Sequence, residues 1–255
     1  MNITDKRYFD PFFALIGKDI QTLFDLTNLQ NNQLDSGYQT QASAVYSSNI
    51  EGNSLNLNSF MNLKHSKNGL KASKEVQEID DLITAYQFAQ NEKLTEKNLL
   101  QTHKLLAKKL VIASLRGKYR NDKVGVFGAT GLVYLAIEEE FVPATMKTFF
   151  GEIAFLLSKT LTLEEVFYHA ALIHLKFVHI HPFRDGNGRA ARLLEKWFLA
   201  EKLGKDLWKL QTERYYKSQQ AEYYKNINLG INYYELNYDK CVPFLAMLPS
   251  SLKQE

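Results

Sequence analysis

Cysteine is almost absent: Cys241 is the single one in 255 residues, so no intrachain disulfide can form and a reducing compartment suits the chain. Long apolar runs are absent too. None approaches the ~20 residues that a bilayer helix needs, and the opening Met-Asn-Ile-Thr-Asp-Lys-Arg has no apolar signal core. These absences point to a cytoplasmic protein that does not enter a membrane. Charge of one sign is balanced rather than blocked, with 31 basic and 28 acidic residues, a net +3 and no run of about five or six like charges. An electrostatic nucleic-acid surface is therefore not expected. Two catalytic signatures are also missing. No Gly-x-x-x-x-Gly-Lys-Ser/Thr loop occurs, which excludes a P-loop NTPase, and His169, His174, His179 and His181 lack the His-Glu-x-x-His spacing or cysteine partners of a zinc site. Repeats, low-complexity tracts and Pro/Gly/Ser linkers do not occur. At 45% hydrophobic the chain can bury a substantial core, as one domain with appendages.

Helical periodicity dominates what is present. Residues 8 to 34 read as one or two helices with a break near Gly17, and Ala42, Val45, Tyr46, Asn49 and Ile50 form a stripe that stops at Gly52, a residue suited to a left-handed cap. Residues 65 to 74 read as a polar loop. Stripes follow at Val76, Ile79, Ile83 and Tyr86, then at Leu99, His103, Leu106 and Leu110, where His103 reads as a packed core histidine. Between Lys118 and Pro143 the period changes to β-branched and aromatic residues around Gly125, Gly128 and Gly131, the pattern of a hairpin. A helix carrying Met146, Phe149, Phe150, Ile153 and Leu157 comes next. Thr162-Leu163-Glu164-Glu165 is then a capping box that introduces the stripe Val166, Phe167, Ala170, Ile173, His174 and Phe177. The fold class expected is mostly α, with one β-hairpin.

The chemistry concentrates at residues 181 to 192, His-Pro-Phe-Arg-Asp-Gly-Asn-Gly-Arg-Ala-Ala-Arg. Ala190, Leu193, Leu194, Trp197 and Phe198 continue at helical spacing, so the glycines mark the point where a loop becomes a helix. The first N–H groups of a helix lack internal partners and carry the positive end of its dipole, which makes this turn an anion site. Gly186 and Gly188 permit close approach, while Arg189 and Arg192, three residues apart, share one side of the helix and suit a polyphosphate.

This segment resembles the signature of the Fic family (filamentation induced by cyclic AMP), His-x-Phe-x-Asp/Glu-Gly-Asn-Gly-Arg-x-x-Arg, which is met by His181, Phe183, Asp185, Gly186, Asn187, Gly188, Arg189 and Arg192. Upstream, Ser47-Ser48-Asn49-Ile50-Glu51-Gly52-Asn53 resembles the inhibitory Ser/Thr-x-x-x-Glu-Gly/Asn motif of that family. Gly117-Lys118-Tyr119-Arg120 is similar to the sequence that introduces its flap. The resemblance covers roughly residues 40 to 248. It implies an N-terminal helical appendage (1–40) and a Fic domain (41–248) with an inhibitory helix (41–52), a flap (118–143), a signature loop-helix (181–203) and C-terminal helices. In this copy Gly128 to Phe141 is longer than the usual flap turn and contains Glu138, Glu139 and Glu140.

What the resemblance implies for function is transfer of AMP from Mg-ATP to a Ser, Thr or Tyr hydroxyl of a target protein. His181 would be the general base, and Asn187 with backbone N–H groups would steady the α-phosphate. Gly186 and Gly188 would cradle the phosphates, Arg189 and Arg192 would hold the β- and γ-phosphates, and Asp185 would hold Mg²⁺. Tyr223-Tyr224 resembles a segment lining the base, with Tyr224 in contact; two core aromatics are the other reading. Val126, Phe127 and Gly128 of the flap would face the target. Glu51 would hold Arg192 and inhibit the enzyme, with the Ser47 hydroxyl bracing the carboxylate. Transfer from another nucleotide, removal of AMP by a water that Glu51 orients, and a silent nucleotide-sensing module stay open, as do self-modification, a homo-oligomer and the target itself.

Overall fold

Helix boundaries follow caps written into the sequence. The computed structural model describes residues 1–27, 29, 35–65, 73–128 and 131–253; the polar loop read over 65–74 lies, from 66 to 72, outside the described residues. Helix α1 (Phe9–Phe12) passes through a π turn (Phe13–Gly17) into α2 (Lys18–Leu26), so the break near Gly17 is a local widening of one helical run. Helix α3 (Ser36–Ile50) begins before the 41–52 span expected of the inhibitory helix, because Asp35 caps it and accepts from the Gly37 N–H at 2.8 Å. It stops at Glu51, and Gly52 takes φ +95°. Helices α4 (Leu57–His65), α5 (Lys74–Asn91, capped by Ser73) and α6 (Glu96–Leu106, capped by Thr95) follow.

The hairpin is shorter than the 118–143 span. Strands β1 (Gly125–Gly128) and β2 (Gly131–Leu135) pair antiparallel with a bulge between Val126 and Phe127. They are joined through residues 129 and 130, so Gly128–Phe141 is not one long turn. Its second half returns as β2 and then forms a 3₁₀ turn, Glu139–Phe141, that leads into α7 (Val142–Ser158). Strand β2 has a second neighbour, since the Leu135 N–H donates to the Ile231 carbonyl at 2.8 Å.

The remaining helices are α8 (Leu163–Ile180), α9 (Asn187–Leu203), α10 (Thr212–Ser218), α11 (Gln220–Ile227) and α12 (Val242–Ser250). The capping box at Thr162 and Glu165 forms as its spacing requires. Helix α8 is buried from Val166 to Leu175 on all sides, which a helix tolerates only at the centre of a core. It packs along α9, and the loop between them carries the signature. The N-terminal residues read as an appendage place Ile3, Phe12, Ile16 and Ile20 in this same core, with Tyr168 of α8 donating to the Asp5 carbonyl at 2.9 Å. Among the described residues no helix is long and apolar enough to cross a membrane.

Candidate active site

The loop from His181 to Gly186 is fixed by groups on both sides of it. His181 caps α8 in the left-handed region, at φ 52°, the one non-glycine positive φ among the described residues. Its Nδ1 lies 3.2 Å from the Val178 carbonyl, which can only accept, so Nδ1 carries the proton and Nε2 presents a lone pair. Burial lowers the imidazole pKa, and Arg120 adds to this, against opposing Glu51 and Asp185. The ring is therefore a neutral base at pH 7.

Asn187, the first residue of α9, accepts from the Phe183 N–H and donates to the Phe183 carbonyl, both at 2.9 Å. These bonds brace the loop and fix the side chain at the start of α9, where the helix-terminal N–H groups are open to an anion. Asp185 is exposed, and one carboxylate oxygen accepts from the Gly186 N–H at 2.6 Å. Gly186 has φ +83°, and a side chain there would press on Leu106 and Leu110.

Below the loop lies His103, stacked on Phe183 with ring centroids 3.6 Å apart and planes 6° from parallel. The Gly117 N–H donates to its Nδ1 at 3.0 Å, which leaves Nε2–H to donate to the Asp185 carbonyl at 2.9 Å. His103 is a buried histidine, as read, but it also joins the flap-introducing segment to the signature loop. Its partners are backbone groups, so no side-chain pattern announces this role. Burial pushes its pKa down to about 4 and that of His179 to about 3. Unfolded histidines titrate near 6.5, so below that pH the unfolded chain binds protons that the folded chain refuses. Stability is thus lost as pH falls from 6.5 toward 4, by roughly 3 kcal/mol for His103 alone. Urea midpoints should drop clearly between pH 7 and pH 4.5; His103→Gln should flatten that drop, and an equal drop in both proteins would show that other groups carry it.

The structure brings Glu51 and Arg192 together across the whole domain. Arg192 is fully buried, and its guanidinium donates to Glu51 Oε1 at 2.8 Å, the Ser47 hydroxyl at 2.9 Å, the Ser47 carbonyl at 3.0 Å and the Tyr223 hydroxyl at 3.1 Å. Ser47 thus grips the arginine through both its hydroxyl and its carbonyl. Glu51 Oε1 also sits over the start of α9, where a Cβ added at Gly188 would fall 2.3 Å from it. The carboxylate occupies the anion position that the helix N-terminus creates. Burial raises its pKa, but Arg192 and Arg189 outweigh burial and hold it below its usual range.

Arg189 reaches Glu78 of α5 at only 3.8 Å, and its buried Nε has no partner among the described residues. Such a donor fits an incoming phosphate oxygen. Tyr223 is buried beneath Arg192, and its hydroxyl meets His174 at 2.9 Å, which donates to Glu195 at 2.8 Å. Tyr224 lines a cavity of about 520 Å³ together with Val126, Phe127, Gly128 and His181. Its hydroxyl donates to the Ile50 carbonyl at 2.8 Å, and Lys217 and Gln220 donate to the carbonyls of Asn49 and Ile50. Helix α3 is held further by buried Lys196 of α9, which donates to Ser43 at 2.7 Å and to Glu213 at 2.6 Å.

Comparison with known proteins follows this geometry. The sequence model of the Fic/DOC family matches residues 93–199. The protein adenylyltransferase Fic of Culex quinquefasciatus is 30% identical over 184 residues, which cover 63% of this chain and 33% of that protein. The Drosophila melanogaster protein of the same name is 70% identical over 33 residues, 13% of this chain and 6% of that one. The chain thus spans about a third of the length of the first of these relatives. In fold it is similar to a Fic family protein from Desulfovibrio desulfuricans G20, with a TM-score of 0.76 at 24% identity over 95% of this chain and 72% of that one. It is likewise similar to Fic-1 (residues 134–508) from C. elegans, with a TM-score of 0.67 at 20% identity over 95% of this chain and 71% of that one. The signature loop and the start of its helix fall inside the matched stretch, so residues 93–199 carry a Fic/DOC domain.

Proposed function

We propose that this chain is a protein adenylyltransferase that moves AMP from Mg-ATP to a hydroxyl of a protein, and that Glu51 restrains it. The observation that carries the reading is Glu51 Oε1, an anion placed 2.8 Å from Arg192 and over Gly188, beside a histidine whose Nε2 is free of its proton. The polyphosphate takes the position of that carboxylate, against the first N–H groups of α9, Arg189 and Arg192. The base lies in the cavity beside Tyr224, whose volume of about 520 Å³ suits a small-molecule ligand. A single exposed carboxylate, Asp185, is the donor set Mg²⁺ takes when phosphate oxygens and waters supply the rest. The ion, when bound, neutralises charge on the leaving phosphates.

The hydroxyl oxygen of the target then attacks the α-phosphorus while His181 Nε2 takes its proton. The bond from that phosphorus to the β-bridging oxygen breaks, and pyrophosphate leaves with the electron pair. Val126, Phe127 and Gly128 form the wall opposite His181, so an extended target segment can lie along β1. The test needs no known target. Glu51→Gly protein incubated with ATP labelled at the α-phosphate should label itself, whereas ATP labelled at the γ-phosphate should leave no mark. Label retained from the γ-phosphate, or from neither, would overturn the reading.

A further inference from the structure

Arg120 is 3% exposed and has no carboxylate within 4.0 Å among the described residues. Burial pulls its pKa down, with Glu139 and Asp122 opposing from beyond ion-pair distance. Its donors are instead spent on three backbone carbonyls from three parts of the chain. Nε donates to the His181 carbonyl at 2.8 Å and Nη1 to the Asp122 carbonyl at 2.8 Å, while Nη2 donates to the Ile137 carbonyl. Its own N–H donates to the Pro182 carbonyl at 2.9 Å. Asp122 precedes β1 and Ile137 follows β2, so one side chain spans both legs of the hairpin and the loop of the catalytic base.

We infer that Arg120 is a positioning residue that ties the His181 loop to both legs of the hairpin, so that the base and the strand facing the target keep one geometry. The inference rests on the adenylyl-transfer reading for its kinetic consequence, though not for the tie itself. His181 is the residue that most needs external support, because the left-handed conformation at φ 52° is unfavourable for a side chain with a Cβ. Carbonyl bonds at His181 and Pro182 supply it by fixing the peptide planes on either side of the turn. The geometry has a functional reason: in-line attack requires the hydroxyl, held by the hairpin, to meet Nε2 of His181 within a hydrogen bond. Other contacts also tether the hairpin, namely the Leu135 N–H to the Ile231 carbonyl, the Tyr134 hydroxyl to the His179 carbonyl and Arg184 to Asp122. Among the described residues, however, Arg120 is the side chain that reaches both legs and the His181 carbonyl together. The guanidinium also keeps a positive charge near the imidazole. The charged groups facing His181 are Arg120, which disfavours protonation, and Glu51 and Asp185, which favour it.

Two variants in the Glu51→Gly background separate fork, charge and fold. Arg120→Met removes both fork and charge. Amide hydrogen exchange should then rise about tenfold or more, together, in residues 124–136 and 183–190, as lost carbonyl bonds free both segments. The NMR titration of the His181 imidazole should move upward, and self-labelling should fall about 10²-fold with little change in the KM for ATP. Arg120→Lys keeps the charge but cannot bridge three carbonyls. It should keep the low His181 titration while still loosening both segments, and if Arg120→Met fails to fold, this variant decides the matter. Exchange that rises in the hairpin alone, or an unshifted titration with undiminished labelling, would overturn the inference. Should the Glu51→Gly parent fail to label at all, the adenylyl-transfer reading falls, whereas the exchange and titration results still decide whether Arg120 makes the tie.

Discussion

Glu51→Gly protein is expected to label itself with AMP at least about 10²-fold faster than wild type, because a misplacement near 1 Å already costs that much in rate. Three of the four partner atoms of Arg192 belong to Ser47 and Tyr223, and Nη2, which donates to Glu51, also donates to the Ser47 carbonyl. Removing the carboxylate thus leaves the arginine oriented, with one donor free and the space over Gly188 open for a phosphate. Arg192→Ala added to Glu51→Gly should erase the gain, since the freed donor is then missing. Ser47→Ala should not mimic Glu51→Gly; it loosens the arginine and should lower the rate of the Glu51→Gly protein by several-fold. Initial rates of label incorporation at saturating ATP measure all five proteins. Equal rates for wild type and Glu51→Gly, with both folded, would reduce the Glu51–Arg192 pair to a packing contact.

What the sequence discloses and what it hides divides along a physical line. Helix stripes and caps are local, so α5, α8 and α9 were legible from periodicity and from Ser, Thr and Gly at their ends. The signature loop is legible because its functional groups lie within residues 181 to 192. Glu51 and Arg192 are 141 positions apart, and no local pattern joins them; only the resemblance to a family did. His103 and Arg120 escaped because they bind carbonyls and N–H groups, which every residue has, and so leave no complementary residue type to find. The bond from Arg192 Nε to the Ser47 hydroxyl is hidden for a related reason: the spacing of Ser47 and Glu51 shows one helix face, whereas the arginine lies 145 positions away. The N-terminal segment reads as an appendage because the resemblance begins near residue 40, and its contacts with α8 and the core are long-range, so no local pattern shows them.

His181→Ala is expected to abolish transfer, a loss of 10²-fold or more, while ATP binding stays within about twofold of the parent. The phosphates meet α9, Arg189 and Arg192, and none of these uses the imidazole for support. The base function, in contrast, has no second histidine open to the cavity among the described side chains: His179 is buried with its nitrogens engaged by Tyr238 and the Ile227 carbonyl, and His103, His169 and His174 are equally enclosed. The pH profile gives the independent mark. Burial and Arg120 lower the His181 pKa, so the neutral base persists below the ordinary histidine range. For Glu51→Gly protein the rate should hold as pH falls to about 6.5 and decline only below it. Removing Glu51 takes away a charge that favours protonation, which moves this acid limb further down. Titration calorimetry with ATP and label incorporation between pH 5 and 8 measure the two halves of the claim. A mutant that loses ATP affinity together with transfer would place His181 in nucleotide binding, and an acid limb above the ordinary histidine value would assign the proton to another group.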